Sequence, residues 1–405
     1  GMAIGDVPTK NWREAYWDQG PGELGGTAVA ESILTKNHSC YGCPISCKRI
    51  VEVKSGPYAL EEGPGSEYEA AAALGTLQFM DDREANHKAN ELCNRMGMDV
   101  ISCGSTLAYA TEAFEAGLIS EKDTGGLKLG WGQPQVLLDL IEKTARREGI
   151  GDDLAEGTRA MAEKYGGKEM AIHVKGLECP MHDPRAFWAM ALTYATSIRG
   201  ACHCADANLY VELGVLDIRE MGVKRTWPYS TKGKAAQTVA AQKKGVIANS
   251  AVICEYAWNS AGGALDEMIM MLKSLTGFDY SFDEMLEVGD RIWYIKRALG
   301  NLMGATREED QLPKRILEPH LEGTTSSLHL AAYPQFLSLL PLQMIKNEGF
   351  IKTVGKILAK FLYPNINKML TSMNYLPIFS RRRKKLELGD QAEREKKTVS
   401  FNQML

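Results

Sequence analysis

Cys40-Tyr41-Gly42-Cys43-Pro44-Ile45-Ser46-Cys47 sets three cysteines in a C-x2-C-x3-C run. Gly42 and Pro44 keep the intervening loops short, so three thiolates from one segment can be aimed at a single centre. A four-iron, four-sulfur cubane takes ligands in this way and needs a fourth from elsewhere. Zinc sites favour paired C-x2-C knuckles or histidines at metal spacing, which do not recur downstream. A c-type haem needs C-x-x-C-H, which is absent. An iron–sulfur cluster is the expected occupant, with zinc and an incidental group of buried cysteines as the alternatives.

The other cysteines fit metal or redox chemistry better than a disulfide scaffold. There are nine in 405 residues, an odd number. Together with an N-terminus that has neither a basic n-region nor an apolar h-region, this predicts a reducing, cytoplasmic setting. A balance of 44% apolar and 24% charged residues is that of a globular protein with two or three full cores. The net charge of −4 does not suggest a nucleic-acid binder but is unevenly spread, since residues 341–405 carry +8 and the remainder −12. The longest uncharged stretch, 324–345, contains Pro334, Pro341, Gln335, Gln343 and His329 and makes a poor spanning helix.

Residues 1–60 are rich in glycine and proline and read as loops, with one helix near Thr27–Leu34. Helical patterning starts at Ser66. Glu67–Phe79 is one helix; Asp81-Asp82 caps another that Gly97 stops; Asp99 caps the next; Gln133-Pro134 opens a further one. Ala171–Val174 is strand-like and precedes a polar, proline-containing loop, which suggests a domain boundary. Helices return over Phe187–Thr196, Lys232–Lys244, Ala264–Leu275 and Phe282–Leu302. The expected architecture is mainly α with minor β: helical domains over 1–173 and 174–325, then an extension over 326–405.

Beyond the cysteine run come Gly65-Ser66-Glu67-Tyr68-Glu69, Glu91-Leu92-Cys93-Asn94-Arg95-Met96-Gly97-Met98-Asp99, His182-Asp183-Pro184-Arg185-Ala186, Tyr194–His203 and Asp310-Gln311-Leu312-Pro313-Lys314-Arg315. In this order they resemble the tungsten-containing aldehyde:ferredoxin oxidoreductase family over roughly residues 5–320. The resemblance implies the two helical domains 2 and 3 of that fold, without its N-terminal β cradle domain. It also implies a tungsten- or molybdenum-bis-pterin centre and a 4Fe-4S cluster that passes electrons to ferredoxin or another electron-transfer subunit. The family meets each pterin with a D-x-x-G-L-C/D motif. Here these read Asn94-Arg95-Met96-Gly97-Met98-Asp99 and Asn249-Ser250-Ala251-Val252-Ile253-Cys254. Both depart from the leading Asp, and the second lacks the glycine. Asn94, Gly97, Asp99 and Asn249 are the expected cofactor contacts, and Cys254 would be the fourth cluster ligand beside Cys40, Cys43 and Cys47.

The same resemblance makes Glu69 and His203 the catalytic pair, a carboxylate suited to moving a proton and an imidazole able to donate to an oxygen ligand or substrate. Glu67 is expected to be an ordinary dipole-complementing residue. Asp99 should open a helix whose free N–H groups at 100–103 face an anion. Cys103, in that first turn, should have a depressed pKa; it is either a small buried residue or a tungsten ligand of the kind found in benzoyl-coenzyme A reductase relatives. His182-Asp183-Pro184-Arg185 is expected to hold its loop by local hydrogen bonds, with a direct cofactor contact as the alternative, and Cys202 and Cys204 to be ordinary buried thiols.

The tail combines apolar residues at helical spacing, Ile345 to Phe361, with Arg381-Arg382-Arg383-Lys384-Lys385. Packing on the body, partner docking and membrane-surface contact are its three readings. The function expected is a fragment or subunit of an oxidoreductase acting on an aldehyde- or carboxylate-type substrate. It would form an oligomer, with the pterin cradle missing from this chain or encoded separately. The alternatives are an electron-transfer or cofactor-holding module, a low-potential acyl-coenzyme A reductase subunit, and an inactive structural remnant.

Overall fold

The computed structural model describes residues 1–17 and 19–320, so the expected extension over 326–405 and its basic helix lie outside the described residues. Short helices α1 (Gly20–Leu24) and α2 (Gly26–Ser32) lead into a three-stranded antiparallel sheet: β1 (Leu34–His38), β2 (Lys48–Val53) and β3 (Leu60–Pro64). β2 alternates, burying Val51 and Val53, which pack with Leu60, Val29 and Ile33 as a small separate core. This sheet replaces the loops expected here. β1, Leu-Thr-Lys-Asn-His, has no apolar alternation to announce it and is a strand because β2 pairs with it.

Next come α3 (Tyr68–Ala73), α4 (Arg83–Met96), α5 (Val100–Glu115), α6 (Pro134–Arg146), α7 (Ile150–Leu154) and α8 (Thr158–Tyr165). Local chemistry sets their ends. The Asp82 carboxylate accepts from Ala85 N–H at 2.9 Å, and Gly97 stops α4 in the left-handed region at φ 70°. The expected helix 67–79 is divided instead: after Ala73 the chain passes through a 3-10 turn at Thr76–Gln78. Gln78 pins this break by donating to the carbonyls of Ala73 and Gly104 at 3.0 and 2.6 Å. α3 lies hard against α5, where a Cβ on Gly104 would sit 2.4 Å from the carbonyl oxygen of Ala73. Gly104→Ala is therefore expected to destabilise the protein by about 1–3 kcal/mol through overpacking, read as a lower urea midpoint; an unchanged midpoint would refute this close approach.

A two-stranded hairpin of β4 (His173–Val174) and β5 (Leu177–Glu178) precedes the second helical set. That set is α9 (Trp188–Thr196), α10 (Asn208–Leu213), α11 (Lys234–Ser250), α12 (Glu255–Ser260), α13 (Leu265–Thr276), α14 (Phe282–Leu302) and α15 (Lys314–Leu317). Every residue of α9 is buried, as befits a helix apolar on all sides. α14 starts at a capping box between Ser281 and Glu284. The central core draws on both sides of residue 174, joining Trp12, Leu77 and Ala108 to Met181, Met190, Tyr194 and Ile316.

Lys10, Asn11 and Trp12 all adopt left-handed conformations, with φ of 48°, 50° and 65°. Each such residue costs about 1–2 kcal/mol in an L-chain, so tertiary contacts hold the turn. Lys10 and Asn11 N–H donate to the carbonyls of Thr76 and Leu77, both at 3.1 Å. The Asn11 and Trp12 carbonyls accept from Arg315 at 2.8 Å and Arg185 at 3.0 Å. Trp12 is fully buried.

Candidate active site

α3 and the loop after α9 bring the principal polar residues together. Packing of Ala70–Ala73 against α5 fixes the first turn of α3, and Glu69 points inward from it. Its Oε2 accepts the Met181 N–H at 2.7 Å, while its buried Oε1 receives no hydrogen bond. Facing Oε1 are His203 Nε2 at 3.3 Å and His182 Nε2 at 3.7 Å. On its far side His182 Nδ1 lies 3.0 Å from the Asp6 carboxylate. The His182 ring stacks on Tyr68 with centroids 4.6 Å apart, and the Tyr68 hydroxyl donates to the Met181 carbonyl at 2.6 Å.

These contacts divide the ionisation of the three groups. Burial, only partly opposed by the His182 charge and the Met181 N–H, raises the Glu69 pKa to about 7. Burial and the nearby cations His182 and Arg199 depress His203 to about 3, leaving a neutral imidazole. His182 loses charge affinity through burial, but the hydrogen bond and charge of Asp6, with Glu69, outweigh that and raise its pKa. A carboxyl that titrates near neutrality between a neutral and a readily protonated imidazole is suited to general acid–base work.

Asp6 was not legible as a site residue, and His182 was expected first to organise its own loop, with a direct cofactor contact as the alternative. The loop is held by Asp183 and Arg185: the Asp183 carboxylate accepts Arg185 N–H and Nε–H, both at 2.9 Å. A histidine just ahead of Asp-Pro-Arg was the one local signal. Its partner Asp6 is 176 positions away.

Asp99 caps α5 as expected, accepting Ser102 N–H at 2.7 Å. Its charge adds a minor upward push on groups raised chiefly by other causes: Glu69 by burial, Cys103 by its hydrogen bond with Cys93, and Arg199 by its hydrogen bond with Cys202. Of the N–H groups expected to be open, Ser102's is held by the Asp99 side chain and Cys103's by its carbonyl at 3.0 Å. The depressed pKa expected for Cys103 is corrected: a hydrogen bond with Cys93, together with burial, pushes this thiol well above its usual range. Cys202 is buried and accepts from Arg199 Nη2 at 2.7 Å, whereas Cys204 is exposed rather than buried.

Cys40, Cys43 and Cys47 lie on the hairpin loop closed by the His38–Lys48 pair. Gly42 at φ 69° and Ser46 at φ 52° let this loop turn, and Cys43 N–H donates to the Cys40 carbonyl at 3.0 Å. Cys254 is exposed at the N-cap of α12. Tyr256, two residues on, has its hydroxyl pKa raised by burial and by its electrostatic coupling to Glu67, Cys204, Cys47 and Glu255. The hairpin loop and the start of α12 therefore share one electrostatic neighbourhood. Arg49, on β2 just after this loop, ties the strand to the residues ahead of α3, donating to the Ser66 carbonyl at 2.5 Å.

Asn94 and Asn249 sit in like positions, each near the C-terminus of a helix followed by a left-handed residue and then the N-cap of the next helix. In the first segment the left-handed residue is Gly97. In the second it is Val252, at φ 56° and 90% exposed. The missing glycine is thus replaced by a strained valine while the backbone path is kept. Asn249 Nδ2 donates to the Cys204 carbonyl at 3.0 Å, and the Asn94 side chain is exposed. Val252→Gly is expected to raise stability by about 1 kcal/mol, seen as a higher denaturation midpoint; a lower midpoint would contradict the strain.

A family model of aldehyde ferredoxin oxidoreductase, domains 2 and 3, matches residues 2–341. The chain belongs to the aldehyde ferredoxin oxidoreductase family. It is 34% identical over 328 residues to the tungsten-containing aldehyde ferredoxin oxidoreductase of Pyrococcus furiosus, covering 79% of this chain and 51% of that protein. The Thermococcus kodakarensis enzyme of the same name is 32% identical over 341 residues, covering 82% and 53%. An aliphatic sulfonate oxidoreductase, WOR-like subunit, of P. furiosus is 28% identical over 331 residues, covering 78% and 48%. Among solved structures, the active site complex BamBC of benzoyl coenzyme A reductase, with 1,5-dienoyl-CoA, shares the fold at a TM-score of 0.62 and 15% identity, covering 92% of this chain and 60% of that one. The chain spans about half the length of the curated relatives it matches. Its mainly helical fold is that of domains 2 and 3 of the family. Among the described residues, no helix is long and apolar enough to cross a membrane.

Proposed function

We propose that this chain forms the cluster-binding and proton-handling part of a cytoplasmic tungsten- or molybdenum-bis-pterin oxidoreductase acting on an aldehyde- or carboxylate-type substrate. The observation that carries this reading is the approach of Glu69 Oε1 to His203 Nε2 at 3.3 Å, from the two halves of the chain, in a family whose relatives are tungsten-containing oxidoreductases. When bound, the metal-pterin centre supplies two-electron redox chemistry and a cluster relays electrons singly to ferredoxin or a partner subunit.

The donor set fits these groups. Three thiols on one open hairpin loop and a fourth exposed at a helix N-cap, none in a disulfide, are the number and kind of ligand that a cubane takes. The two pterin-type segments expose Met96 and Val252, apolar side chains suited to cover by a cradle domain supplied in the same or another chain. Asn94, Gly97 and Asp99 on one segment and Asn249 on the other would hold the pterin edges.

In this arrangement Glu69 takes the proton released on oxidation of the substrate and gives it back in the reverse direction. Met181 N–H holds the carboxylate in place while Oε1 stays open. Neutral His203 donates toward the substrate oxygen. His182, oriented by Asp6, sets the charge around Glu69. Cys103, with its raised pKa and bond to Cys93, is better suited to packing than to metal ligation.

Metal analysis with electron paramagnetic resonance on anaerobically purified protein tests the proposal. Iron with a cubane signal that is lost in Cys254→Ser, and tungsten or molybdenum in the full enzyme, are expected. Protein of full iron content after Cys254→Ser would refute the four-cysteine ligation.

A further inference from the structure

We propose that Glu69 Oε1, His182 Nε2 and His203 Nε2 form a binding site for one divalent transition-metal ion of the zinc type. The proposal does not depend on the tungsten chemistry, because the ligands are side chains of this chain alone.

Three observations converge on it. The ligand atoms of Glu69, His182 and His203 lie within 4.8 Å of one another, and those of the two histidines are 3.7 and 3.3 Å from the same carboxylate oxygen. Two imidazoles and one carboxylate are a donor set that holds zinc or a related cation while leaving a position open. Small rotations would bring all three to bonding distance of a shared ion.

The surrounding residues hold these ligands as a built site would. Asp6 takes His182 Nδ1 at 3.0 Å, which leaves Nε2 to face Glu69. Carboxylate–histidine pairs of this kind orient and strengthen metal-binding imidazoles. Tyr68 fixes the plane of the ring by stacking at 4.6 Å. Met181 N–H occupies Glu69 Oε2 at 2.7 Å, so the carboxylate can offer only Oε1.

The third observation is the state of Oε1. It is buried and has no hydrogen-bond partner, a costly condition for a carboxylate oxygen. A cation would satisfy it. The same bond would withdraw the oxygen on which the proposed proton transfer relies, so metal at this site would act as an inhibitor of that step.

Cobalt(II) is the probe, because ligand-field bands report nitrogen and oxygen ligands while a sulfur-to-cobalt charge-transfer band reports the cysteine loop. Anaerobic titration of the protein is expected to give one equivalent with ligand-field bands and no sulfur band, displaceable by zinc. In Glu69→Gln, an isosteric change, and in His182→Ala this species should be lost. Asp6→Asn should weaken it about 10- to 100-fold. Circular dichroism establishes that each variant is folded; if His182→Ala is not, Glu69→Gln and Asp6→Asn carry the test. Cobalt bound only with a sulfur band, or a nitrogen–oxygen species that survives Glu69→Gln at parental affinity, would overturn the proposal.

Discussion

Glu69→Gln in the enzyme that contains this chain is expected to lower kcat by about 100- to 10,000-fold, the usual contribution of a positioned general base. The variant keeps the size of the side chain, and an amide can still accept from Met181 N–H. What it removes is the proton site. With the Glu69 pKa near 7, parental activity in the oxidative direction should rise as pH rises through about 7, because the ionised carboxylate is the acceptor. The variant should lack that limb. A measured pH profile that keeps it, or a kcat within a few-fold of the parent, would assign the proton step to another group.

Stability carries the same signature with opposite sign. The folded-state pKa, about 7, is raised above the ordinary 4.5, so between these values the folded protein holds a proton that the unfolded chain has released. Unfolding free energy therefore falls as pH rises through this window. Glu69→Gln should flatten that part of the curve, as measured by urea unfolding across the window.

The second large effect is expected at Arg315. Its guanidinium reaches both oxygens of Glu112 at 2.7 Å and the Asn11 carbonyl at 2.8 Å. Asn11 Nδ2 completes the group with a 2.5 Å contact to Glu112. These bonds join α15 and α5 to the left-handed turn at residues 10–12. Arg315→Met leaves a buried carboxylate without its cation and should cost about 3–5 kcal/mol. The double variant Arg315→Met/Glu112→Met should recover much of that loss, because the uncompensated charge is then gone. A single variant that unfolds within about 1 kcal/mol of the parent would show that the pair does not hold the turn.

Arg315 also marks where reading along the chain ceases to inform. Asp310-Gln311-Leu312-Pro313-Lys314-Arg315 was recognisable as a family segment, but nothing in it named Glu112, 203 positions away, as the partner. His182 is a parallel case. Its loop was legible, while its place in the site came from Asp6 and Glu69, each more than a hundred positions distant.

What the amino-acid sequence determined by itself was local. Asp82, Gly97, Asp99 and the Ser281–Glu284 box set helix ends because a cap needs only a few neighbouring residues, and Phe282–Leu302 came out with the expected bounds. The cysteine spacing and the turn between α4 and α5 were legible for the same reason, whereas the second such segment was not: the helix expected to end at Lys244 runs on to Ser250, and α12 follows it. Tertiary structure decided the rest. β1 exists because β2 pairs with it, and three consecutive left-handed residues persist because two arginines and the carbonyls of residues 76 and 77 hold them. The Cys103 pKa rose instead of falling because Cys93 and burial outweigh the helix dipole. Glu69 was legible as a catalytic candidate only through the family resemblance; its pKa of about 7 comes from burial, since desolvation depends on everything packed around a group and not on its neighbours in sequence.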